Sequence, residues 1–235
     1  MTTALAAIEE FMSHPAPGLV LEQHEEANLP RRVHPTRHEW LAAIGPKERA
    51  ELHRLVADYH ELADLKELYE RSNGVKLFYL KCPHCDEPHW ALSFLPVRDW
   101  ARASKVWRKG GMSSWALEEC DMYTHGEWRV IAILPSEQMN LVQFFSGEYE
   151  GQKLAGKIFC IGLDGYMGFE EELAPSLSAL LEEIQRDPAA FFNRLGFSWM
   201  VQTDEACFGD SIGGYMPDMR GEPDASPWPA TRPPA

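Results

Sequence analysis

Residues 65–81 read LKELYERSNGVKLFYLK, and the change of texture in the middle of this stretch decides the fold. Upstream, Leu52, Leu55, Val56, Tyr59, Leu62, Leu65, Leu68 and Tyr69 recur at spacings of three and four, the period of a helix with one buried face. Asn73-Gly74 stops that helix, because both residues tolerate the left-handed geometry of a helix C-terminus. From Val75 onward the apolar residues instead fall in short β-like runs.

Five such runs are VKLFYLK from Val75, WALSFL from Trp90, WRVIAIL from Trp128, MNLVQFF from Met139 and KIFCIGL from Lys157. Several of the links are too short for crossover helices, so antiparallel pairing is expected. The link at 96–127 has room for a helix. Downstream, SLSALLEEIQR places Leu177, Leu180, Leu181 and Ile184 on one helical face. In DPAAFFNRLG, Asp187 can cap a second helix, Pro188 suits its first position and Gly196 ends it. The expectation is an α+β fold with a mainly antiparallel sheet of five or six strands flanked by helices. A helix near residues 3–12 and a polar connector make up 1–34, the α+β domain spans 35–200, and 201–235 is a Gly, Pro and Asp-rich tail.

The chain has 235 residues and a formal charge of -14. That charge opposes the electrostatic attraction that supplies most binding to nucleic acid or anionic membrane, and it suits a basic protein partner instead. No run reaches the roughly 18 apolar residues of a membrane span. The N-terminus lacks a basic segment and carries Glu9 and Glu10 where a signal peptide needs an apolar run. With an odd number of cysteines, five, these features lead to the expectation of a cytoplasmic protein with reduced thiols.

LKCPHCDEPHW, residues 80–90, supports three readings. Cys82 and Cys85 have the spacing of a zinc knuckle, with His89 as a third ligand, but there is no second CxxC and Cys120 with His125 is an irregular substitute. A redox pair would need the motif at a helix start, where the thiol pKa is lowered, whereas here it follows a predicted strand and precedes Pro88. A turn between two strands, built on Pro83 and Asp86, is the plainest reading. No motif demands a cofactor, and zinc is the metal this pair would take.

Other motifs are weaker. FGDSIGG, 208–214, resembles a serine-protease nucleophile segment, but Ile212 intervenes between serine and the glycine pair, displacing the oxyanion donors. His34 and His38 are four apart, with Pro35 leading into a helix expected near Thr36, and read as structural. FEEEL, 169–173, reads as a solvated face or a helix start. Arg98, Arg102, Lys105 and Lys109 recur at helical spacing, with Trp100, Ala103 and Trp107 on another face. This basic stripe on an acidic chain either meets an anion or acidic partner or is a solvated helix face.

The helix ending LKELYERSNG, the strands after it, KIFCIGLDGYMGF and the helix APSLSALLEEIQ resemble the SUKH superfamily of bacterial toxin-immunity proteins and a yeast cell-wall-synthesis regulator. Leu65–Gly74 corresponds to that family's helix and Asn-Gly turn, and Ala174–Ile184 to its closing helix. The resemblance spans about residues 35–195 and implies helices flanking an antiparallel sheet, no catalytic residues and a role in binding another protein. The expected function is therefore a non-catalytic binding module that neutralises or scaffolds a protein, such as a basic toxin, through an acidic surface. The alternative is a zinc or thiol protein built on Cys82, Cys85 and His89.

Overall fold

The structure, a computed structural model, describes residues 3–13, 20–22, 37–81, 88–89, 91–106, 121–134, 139–162, 172–195 and 198–200. The stretch 46–71 forms two helices rather than one: α2 (Pro46–Val56) and α3 (Ala63–Arg71), joined through a 3-10 turn at His60–Leu62. The apolar residues themselves require the break. At about 100° per residue, Val56 and Leu65 would project from opposite sides of one straight helix, roughly 180° apart. Both are buried, and Tyr59 adopts an extended conformation that reorients the second helix. Pro46 opens α2, and Glu48 reaches back to accept from the Gly45 N–H at 3.3 Å.

Helix α1 (Ala4–Ser13) packs on α3 and on α5 (Leu177–Arg186), burying Ala4, Ala7, Ile8 and Phe11 in the same core. Ser176 caps α5, accepting from the Ala179 N–H at 3.2 Å. Asp187 caps α6 (Pro188–Arg194) through Ala190 at 2.9 Å, the role its place before Pro188 implies.

The five expected strands are present as β3 (Val75–Lys81), β5 (Leu92–Phe94), β6 (Trp128–Ile133), β7 (Met139–Phe144) and β10 (Ile158–Gly162). Two further strands lie at the sheet's edges, β2 (Arg37–Trp40) and β11 (Glu172–Ala174), so the line of strands is β11-β10-β7-β6-β5-β3-β2. The sheet is thus wider than the five or six strands expected, because edge strands of three or four residues are too short to show a period of two. Every pairing along it is antiparallel, which bears out the α+β class. β2 stands where a helix was expected near Thr36, and β11 where FEEEL suggested a helix start; both are held by pairing to a neighbouring strand. Glu172 meets Lys157 at 2.6 Å.

Three smaller features complete the architecture. β4 (Pro88–His89) pairs with the end of β3, Leu80 opposite His89 and Lys81 opposite Pro88. β8 (Glu148–Tyr149) and β9 (Gln152–Lys153) form a hairpin. β1 (Val20–Glu22) and β12 (Ser198–Met200) pair antiparallel, joining two regions far apart in the chain.

The link 96–127 holds α4 (Val97–Val106). β5 stops after three residues, and α4 takes over alongside β6: Ser104 Oγ accepts from the Val130 N–H at 2.9 Å, capping a group that a longer strand would have paired. Trp100 anchors this helix, 4.7 Å from the Tyr69 ring and 5.9 Å from Phe145. Trp100 Nε1 and Tyr69 Oη both donate to the Leu95 carbonyl, at 3.0 and 2.7 Å. Burial pushes the Tyr69 hydroxyl pKa upward, and the negative charge of nearby Asp99 adds to the rise.

Candidate functional site

The densest polar construction among the described residues grows from Ser72-Asn73-Gly74, the turn between α3 and β3. Ser72 Oγ lies 2.8 Å from the carbonyls of both Leu41 and Gly74. The Asn73 N–H donates to Ala42 at 2.9 Å, its Nδ2 donates to Glu48 Oε1 at 2.7 Å, and its Oδ1 accepts from the Val97 N–H at 3.0 Å. One amide therefore joins the N-terminal turns of α2 and α4. Gly74, at φ +119°, is required here, since a Cβ would lie 2.4 Å from the Phe94 carbonyl oxygen.

The two converging helix starts hold carboxylates inward. Glu48 and Asp99 retain 18% and 10% side-chain exposure, while Arg98, 70% exposed, lies 4.0 Å from the first and 3.7 Å from the second. Asp99 Oδ2 is buried without a hydrogen-bond partner. Burial raises the Asp99 pKa above the usual carboxylate range and Glu48 adds to the rise, against the lowering pull of Arg98 and Arg102.

The cations of these helices point outward. On α2, Lys47, Arg49 and Arg54 are exposed; on α4, Arg98 and Lys105 are exposed and Arg102 is half-buried. Arg54 holds Glu51 with contacts of 2.6 and 2.8 Å, which lowers the Glu51 pKa. Of the stripe read from sequence, Arg98, Arg102 and Lys105 thus share the solvent side of α4 while Trp100 and Ala103 are buried on its other side. Lys109 and Trp107 lie outside the described residues.

His38 occupies a second polar site, on β2. Its Nδ1 accepts from the Phe78 N–H at 3.2 Å, and its ring packs 5.1 Å from Phe11 and 4.9 Å from Phe78. The pairing of β2 with β3 slips by one residue here, and Phe78 takes a positive φ of 54°, the mark of a bulge. Nε2 is buried with no partner. Desolvation lowers the His38 pKa to about 4, so near neutral pH the ring is an uncharged acceptor and belongs to the packing.

The remaining sequence candidates are dispersed. Cys82 and Cys85 lie outside the described residues, and of His89 only the backbone in β4 is described. On either side of residues 82–87, Lys81 pairs with Pro88 across the antiparallel strands β3 and β4. His34, Cys120 and residues 208–214 also lie outside the described residues. His125 sits with its ring 5.5 Å from that of Tyr149. Among the described residues no group of three or more His, Cys, Asp or Glu side chains is placed to hold a metal ion.

Sequence reasoning read Asn73 as a helix stop and missed that its side chain joins two helix starts. The partners Glu48 and Val97 are 25 and 24 positions away, and no local pattern links them. Comparison with protein families, curated proteins and solved structures yields no match to this chain.

Proposed function

We propose that the protein is a non-catalytic binding module of SUKH type, which captures a basic protein, such as a toxin, on an acidic surface. The observation that carries this reading is a segregation of charge. Helices α2 and α4 hold six of the 22 Lys and Arg residues and three of the 36 Asp and Glu, which leaves 16 against 33 over the rest of the chain, a net of -17. On the helical layer away from that pair, α1 carries Glu9 and Glu10 in exposed positions and no Lys or Arg. It packs against α3, with Asp64, Glu67 and Glu70 against Lys66 and Arg71, and α5, with Glu182 and Glu183 against Arg186, so each of the three helices is net acidic. A surface of this kind accelerates encounter with a cationic protein and repels anionic competitors.

The test is co-expression with the product of each flanking gene, followed by calorimetry on any pair that associates. The reading predicts a basic product whose toxicity is relieved, with affinity that falls about tenfold or more between low and physiological salt. Glu9→Lys/Glu10→Lys weakens that association at an unchanged melting temperature. Association that ignores salt, or no basic partner among those products, overturns it.

A further inference from the structure

We propose that the cationic outer face of α2 and α4 is a docking surface for the acidic segment 201–235 of the same chain. Nothing in this inference depends on the identity of an external partner.

The face is positive for a structural reason. Of its three carboxylates, Glu48 and Asp99 are turned inward with 18% and 10% side-chain exposure, and Glu51 is bound to Arg54. Lys47, Arg49, Arg98 and Lys105 are exposed beside the half-buried Arg102. Arg98 and Arg54 face these carboxylates, and six cations against three acids leave the two helices a net charge of +3. The N-terminal turns of both helices, joined through Asn73, add the positive ends of their dipoles to the same region.

Magnitudes favour a tethered occupant. Exposed ion pairs are individually weak, and a handful of them supports affinity of only about millimolar order. A separate macromolecule that is acidic would also meet the repulsion of a chain whose total charge is -14. A covalently attached segment competes at an effective concentration that itself reaches about the millimolar range.

Residues 201–235 have the matching composition, with six carboxylates to two arginines, and Asp218, Glu222 and Asp224 fall within seven positions of sequence. Thirty-five residues can span on the order of 100 Å, so reach from β12 does not limit the contact. A basic protein arriving at the acidic surface would compete for this segment and expose the cations of α2 and α4.

Zero-length carbodiimide coupling on the full chain tests this, because it joins a lysine amine to a carboxylate only where the two are in contact. Equal amounts of light and isotope-labelled protein are mixed before coupling. At low salt, Lys47 and Lys105 should link to peptides from 201–235 within one chain, at several times the yield seen at Lys66 and Lys153. The yield should fall about fivefold at about 0.5 M salt, where the screening length drops below about 5 Å. It should fall similarly in Arg49→Glu/Arg102→Glu with an unchanged melting temperature, and the wild-type salt series supports the inference even if that variant fails to fold. Links between light and labelled chains would assign the face to a second copy. Equal yields at all four lysines, or no tail peptide on Lys47 or Lys105, would refute the docking.

Discussion

The Asn73 side chain donates to Glu48 Oε1 at 2.7 Å while its carbonyl accepts the Val97 N–H at 3.0 Å, so α2 and α4 are positioned by a single amide. Asn73→Ala leaves a buried N–H and a largely buried carboxylate without that partner. The expected loss in urea-induced unfolding is about 2–4 kcal/mol. Gly74→Ala should be at least as costly, about 2 kcal/mol or more, because it adds strain at φ +119° to a clash with the Phe94 carbonyl.

His38 makes stability depend on acid. Its folded pKa, about 4, lies below the ordinary histidine value of 6.5, so the unfolded chain takes up the proton first as pH falls. The stability from neutral His38 is fully present above pH 6.5 and is lost progressively between 6.5 and about 4. Urea midpoints measured across this window should fall, and His38→Leu should flatten that part of the curve while lowering stability at neutral pH. An unchanged slope in the variant would show that other groups set the acid response.

Tyr69 and Trp100 share one acceptor, the Leu95 carbonyl. Tyr69→Phe removes one donor and leaves the carbonyl served by the other, so a loss of only about 1 kcal/mol is expected by denaturant titration. Ser104→Ala is different in kind, because it strands the Val130 N–H, and should cost about 1–3 kcal/mol despite removing a single oxygen.

The cysteine pair can be tested by elemental analysis of purified protein. If residues 82–87 serve only as a turn, zinc stays below about 0.1 per chain, and Cys82→Ser/Cys85→Ser changes unfolding by no more than about 0.5 kcal/mol. Zinc at about one per chain, lost in the variant with a large drop in stability, would put a structural metal at the hairpin.

Legibility from sequence followed the range of the interaction. Apolar runs and periodicity located the five inner strands and the helices around Leu52, Leu65, Leu177 and Trp100, because burial repeats within a few residues. Asp187 and Pro188 marked the start of α6, since capping is local. The break between α2 and α3 was hidden because steps of three keep the appearance of a stripe while rotating it. β2 and β11 were hidden because these short edge strands, unlike the fully buried β5, lack a continuous apolar run and become strands only through pairing. At the candidate site, the stripe of Arg98, Arg102 and Lys105 could be read from spacing. The inward turn of Glu48 and Asp99, which gives that stripe its weight, depends on Asn73 and could not.

The packing of α1 on α5, and of β1 on β12, also governs when the protein can fold as it is made. Residues 4–13 emerge from the ribosome well before the helix that covers their apolar face, which begins only at Leu177. Until most of the chain has been translated, Ile8 and Phe11 have only part of their burial and are exposed to premature association. Contacts closing such long stretches of chain also slow the search for the native state. The nascent protein is therefore expected to need protection around α1, and a stall in translation before residue 177 leaves α1 without its principal helical partner.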